Sequence, residues 1–83
     1  MKMEYLIIFS ESKLVSLIHV HEKIGIVEEY LFGYPRDGSF RFEHSFHEGE
    51  LKDLFPNACY EAITREDFQL RLLNLKMLLI SHI

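Results

Sequence analysis

The last sixteen residues, Phe68–Ile83, are apolar at ten positions, and a helix through them is greasy on two opposite sides. At about 100° per residue, Phe68, Leu72, Leu75, Leu79 and Ile83 form one stripe, while Leu70, Leu73, Met77 and Ile80 fall on the reverse. Arg71, Asn74, Ser81 and His82 run along one flank, with Gln69 and Lys76 along the other. An ordinary surface helix needs one apolar stripe, so the second requires a cover, from within the chain or from another molecule. A rival reading shortens the helix and ends in a strand, in which Leu73, Leu75, Met77 and Leu79 alternate with Asn74 and Lys76.

Eighty-three residues suit one domain over 1–83. A chain of this size buries only about 60–65% of its unfolded surface, so an unaided core is marginal. Cys59 is the only cysteine, which removes disulfides as a source of help and fits a reducing compartment. The usual alternative for a short chain is oligomerisation or a partner. Thirteen acids against nine Lys and Arg, a net charge of −4, argue against binding a phosphate backbone. The densest acidic run, Glu43 to Asp53, is broken by His44, His47 and Lys52 and reads as a solvated face. Tyr5–Phe9 is too short for a signal segment, and the C-terminal stretch carries Arg71, Asn74 and Lys76 and is too short to span a bilayer. The expectation is a cytoplasmic protein without membrane or nucleic-acid partners.

Glu4–Phe9 is a short apolar run bounded by polar residues, the pattern of a buried strand. Ser10 or Ser12 then caps a helix to about Lys23, with Leu14, Leu17, Ile18 and His21 on one face and Gly25 as its left-handed terminator. The competing reading makes Lys13–His21 a strand, since Val15, Ile18 and Val20 are β-branched. The adjacent pairs Leu14-Val15 and Leu17-Ile18 break strict alternation, and the helix is preferred. Pro35-Arg-Asp-Gly38 has turn chemistry and sits between Ile26–Tyr34 and Ser39–Phe46, which predicts a β-hairpin. Glu48–Phe55 is a short helix stopped by Pro56, and Cys59–Ile63 a further strand. Thr64-Arg-Glu-Asp67 resembles a capping box opening the last helix. The order β-α-β-β-α-β, followed by the apolar C-terminal helix, matches an α+β, ferredoxin-like split βαβ plan with helices packed on an antiparallel sheet.

A four-residue turn pairs Tyr34 with Ser39 and therefore Glu29 with His44, on an apolar face shared with Phe40, Phe42 and Phe46. His21, on the apolar stripe of the first helix, points at the same layer. His21, Glu29 and His44 are thus the candidates for a metal site or an acid–base pair, although a satisfied hydrogen bond is the stronger explanation of such a pair. Cys59 reads as a buried, inert thiol. No G-x-S-x-G, P-loop, G-x-G-x-x-G or H-E-x-x-H motif is present, and no catalytic residue, cofactor or resident metal is expected.

The same register gives the hairpin's other face Tyr30, Phe32 and Tyr34, with Arg41 opposite Phe32, residue types enriched at binding hot spots. The expected function is therefore non-enzymatic: binding, and so occluding or regulating, another protein, in the manner of a small inhibitor, antitoxin or immunity protein, as a homodimer or a tight binder. The expected contact residues are Tyr30, Phe32, Tyr34 and Arg41 on the sheet, with Leu73, Met77 and Ile80 on the helix. A regulatory dimer binding a small ligand or metal, and a small enzyme using a His–Glu pair, are the alternatives.

Overall fold

A computed structural model describes residues 3–9, 14–33 and 40–81, with the side chains of residues 14, 15 and 78–81 left aside. The Ser10 and Ser12 caps, the Pro35–Gly38 turn and Tyr34 lie outside the described residues, as does the side chain of Ile80. Five strands form one antiparallel sheet: β1 (Tyr5–Phe9), β2 (Leu14–His21), β3 (Ile26–Gly33), β4 (Arg41–Glu48) and β5 (Cys59–Ala62), in the order β4-β3-β2-β1-β5. A single-turn helix, α1 (Leu51–Leu54), joins β4 to β5, and α2 (Arg65–Ser81) closes the chain. The class is α+β, but this strand order is not that of a ferredoxin-like sheet.

The difference begins at Leu14–His21, which is a strand and not the expected helix. Its doubled apolar pairs have a physical reason. Leu17 and Ile18 point to opposite faces, and each is 0% exposed, because the sheet is covered on both sides. Alternation is a rule for strands with one wet face, and β2 has none. Gly25 is left-handed as expected (φ 66°, ψ 33°), yet it ends only a 3-10 turn, Glu22–Ile24, that carries β2 into β3.

Leu6, Ile8, Ile18 and Val27 form the core on one face, covered by Leu51, Leu54 and Phe55 of the α1 segment. Ile7 and Leu17 form it on the other, against Phe68 and Leu75 of α2, with Tyr5, Tyr30, Phe32, Ile63 and Leu72 around them. The residues Leu6, Ile7 and Ile8 of one short strand thus feed two cores, as the period of two requires. The start of α2 follows the capping pattern, with Asp67 N–H donating to Thr64 Oγ1 at 3.0 Å. Phe68, Leu72 and Leu75 face the sheet, whereas Leu70, Leu73 and Met77 are 58%, 55% and 61% exposed. The helix is therefore continuous to Ser81, without the alternative terminal strand, and Phe68, Leu72 and Leu75 of its first stripe pack into the core. Among the described residues no helix is long and apolar enough to cross a membrane.

Candidate functional site

The β3–β4 register differs by one residue from the four-residue-turn expectation. Gly33 pairs with Arg41, so Phe32 faces Phe42, Tyr30 faces His44 and Glu28 faces Phe46. Seven residues, not four, separate the paired ends, and the slip sends every side chain of β4 to the other face relative to β3. Glu29 and His44 are not neighbours. Arg41 stands opposite Gly33 rather than Phe32, on the α1 side of the sheet, and pairs with Glu43 at 2.8 Å.

The observed registers bring aromatic and imidazole side chains of four strands to the α2 face, and the slip adds His44 and Phe46 of β4 to it. Tyr5, His19, Glu28 and Phe46 form one row across β1, β2, β3 and β4. His21 follows His19 by two positions on β2, and Tyr30 follows Glu28 by two on β3, so both share the face. Tyr5 stacks on His19 (centroids 4.5 Å apart, 13° between planes) and Tyr30 stacks on His44 (4.2 Å, 6°). Phe68 of α2 sits above them, 5.0 Å from Tyr5, 6.1 Å from His19 and 6.2 Å from Tyr30.

Glu28 is the hub of this layer. Its Oε2 accepts the Tyr30 hydroxyl at 2.8 Å and lies 2.7 Å from His44 Nε2. Its Oε1 lies 3.1 Å from His21 Nε2 and 3.8 Å from His19 Nδ1. The far side of His19 meets a second carboxylate, with Nε2 3.7 Å from Glu4 Oε1. Burial pushes the Glu28 carboxyl upward, but hydrogen bonds from His21, Tyr30 and His44, with the charge of His44, outweigh it and leave its pKa below the ordinary 4.5. Burial, and then the hydrogen bond and charge of Glu28, push the Tyr30 phenol up to about 12. The hub thus holds an ionised carboxylate beside a neutral phenol.

A cleft of about 510 Å³ opens beside His19 and His21, walled by Met3, Glu4, Lys23 and Ile24. On the opposite face Glu29 makes a separate cluster, accepting the Ser16 hydroxyl at 2.7 Å and lying 2.9 Å from His47 Nε2. An activated serine needs the histidine between hydroxyl and carboxylate. Here the carboxylate is in the middle, so Ser16 is a buried hydroxyl with its hydrogen bond satisfied.

Of the candidates read from the sequence, His21 and His44 do converge, but on Glu28 instead of Glu29. Tyr30 and Phe32 are half-buried and pack against the α2 core, while Leu73 and Met77 are exposed on its outer side. Cys59 is exposed rather than buried, at the end of an edge strand beside Phe9, which is itself 49% exposed. Reading Leu14–His21 as a helix sets His19 aside, and the four-residue turn passes over Glu28. The His-x-His of residues 19 and 21 carries the signal, but only a strand brings both imidazoles to one side. Scans against protein-family models, curated proteins and solved structures return no match, so the functional reading rests on these residues alone.

Proposed function

We propose that the chain is a non-enzymatic interaction protein, which binds another protein through the outer face of α2 and thereby occludes or regulates it. Without that partner, a second copy of the chain covers the same face. The observation that carries this reading is the line Leu70, Leu73 and Met77, each more than half exposed on a helix whose inner stripe is already engaged. Covering three such half-exposed side chains contributes about 3–5 kcal/mol, comparable with the lower end of the cost of association. They are therefore anchors within a larger patch, because a stable interface needs about 800 Å² from each partner. The acidic charge limits self-association to an apolar contact, and this stripe is apolar. A two-fold pair of α2 helices satisfies the requirement that one patch complement itself.

Light scattering during size exclusion tests the reading. The wild-type chain is expected to elute as a dimer, and Leu73→Glu/Met77→Glu as a folded monomer that also loses any protein retained from the native host. A wild-type monomer that retains no protein, or a double variant that behaves as wild type, contradicts it.

A further inference from the structure

We propose that His19, His21 and Glu28 form a binding site for a divalent cation of the zinc class, with one coordination position open to the adjacent cleft. This is independent of the α2 docking face. Among the described residues, their ligand atoms all lie within 4.8 Å of one another. Zinc bonds of about 2.0–2.2 Å at tetrahedral angles place ligands roughly 3.4 Å apart. The separations from Glu28 Oε1, 3.1 Å to His21 Nε2 and 3.8 Å to His19 Nδ1, bracket that spacing. The third side of the triangle, between the two imidazoles, is no longer than 4.8 Å.

The backbone supplies the arrangement. Two residues apart on β2, the imidazoles share a face, and Glu28 stands directly across from His19 on β3. Imidazole and carboxylate donors together suit zinc, and nickel and copper less selectively. The surrounding shell divides the work of orienting these ligands. Tyr30 and His44 occupy Glu28 Oε2, which leaves Oε1 turned toward both imidazoles. Glu4 Oε1 stands 3.7 Å from the nitrogen of His19 that the metal does not use, beyond hydrogen-bond distance but close enough for its charge to favour a metal-bound imidazole. The ligand side chains are 13% to 31% exposed, so the site is shielded yet reachable from the cleft. Three protein ligands leave a fourth position for water or a small anionic ligand.

Calorimetric titration of the intact protein with zinc chloride is expected to show one ion per chain, and zinc is expected to raise Tm, since it binds the folded state. Cobalt(II) at the same site is expected to give the visible absorption of a low-coordinate ion with nitrogen and oxygen ligands. His21→Gln and His19→Gln are each expected to weaken binding by more than about 100-fold, beyond the 10–100-fold typical of losing an outer partner such as Glu4 or His44. Circular dichroism reports whether each variant is folded. Glu4→Gln, which removes the charge beside His19 but replaces no ligand, is expected to weaken binding by less than either histidine variant. Absence of uptake by the wild-type chain overturns the site whatever the variants do. Uptake that survives the folded His19→Gln/His21→Gln double variant also overturns it, by placing the ion elsewhere.

Discussion

Phe68→Ala is expected to destabilise the protein by about 3–5 kcal/mol, the usual result of removing a buried aromatic ring. Phe68 is 5% exposed and joins α2 to Ile7 and Leu17 while capping the Tyr5, His19 and Tyr30 rings. Removing it opens a cavity at the contact that holds the helix to the sheet, and the short chain has few other residues to collapse into it. For a domain this size each kcal/mol lowers Tm by about 4–8 °C, so the loss exceeds about ten degrees. Gln69→Ala, one position along and exposed, is expected to stay within about 0.5 kcal/mol. Thermal melts of the two variants compare the faces of α2 directly. Equal effects would mean that the helix is rotated from the orientation described.

The second large effect is at Glu28. Its side chain is 13% exposed and faces three donors, with Tyr30 and His44 on one oxygen and His21 on the other. Glutamine keeps the shape but loses the charge and replaces one acceptor oxygen by a donor NH₂, so a neighbouring imidazole must change tautomer or a hydrogen bond is lost. Glu28→Gln is therefore expected to cost about 1.5–3 kcal/mol near neutral pH, the scale of hydrogen bonds to a charged group. The pH dependence has a definite sign. A carboxyl held below 4.5 in the fold adds stability that is complete above that value and is lost as the pH falls through the folded pKa. The gap between wild type and Glu28→Gln thus narrows in acid. At the alkaline end Tyr30, raised to about 12, favours the fold below pH 10, and that contribution is lost as the pH climbs to the folded value. In Glu28→Gln the phenol is expected to ionise earlier, with only burial left to hold it up. Chemical denaturation across pH in the presence of a chelator, with ultraviolet absorbance for the phenolate, measures both. A pH-independent gap would show that the hub is not an ionised Glu28.

Much of this structure was legible in the sequence, and the misreadings share one cause. The run Glu4–Phe9, the antiparallel pairing of the strands on either side of residues 34–40, the Thr64 cap and the two-sided α2 each carry a local signal that survives folding. The strand β2 does not, because Leu17 and Ile18 are both buried, by different helical segments that lie far along the chain. Register is equally non-local. A turn of four residues and a connection of seven differ in parity, and parity alone decides whether Glu28 or Glu29 meets His44. The sequence-level reading therefore found two of the three histidines around the hub, His21 and His44, with the wrong carboxylate, and placed Arg41 beside Phe32 when it belongs to the other face. The outer stripe of α2 was visible from the start. Its inner stripe covers Tyr30 and Phe32 in part, which moves the expected contact surface from the sheet toward Leu70, Leu73 and Met77.

The hub, the zinc site and the packing beneath Phe68 all depend on Glu28, not Glu29, sharing the face of His19, His21 and His44. Cross-strand nuclear Overhauser effects across β2, β3 and β4 decide this, and His19 is expected to contact Glu28 across β2 and β3. Backbone and side-chain proton contacts are expected for Tyr30 with His44 and for Glu28 with Phe46. Contacts of His19 with Glu29 would contradict the shared face, and contacts pairing Glu29 with His44 and Val27 with Phe46 would place the β3–β4 pair in the other register and remove His44 from the hub.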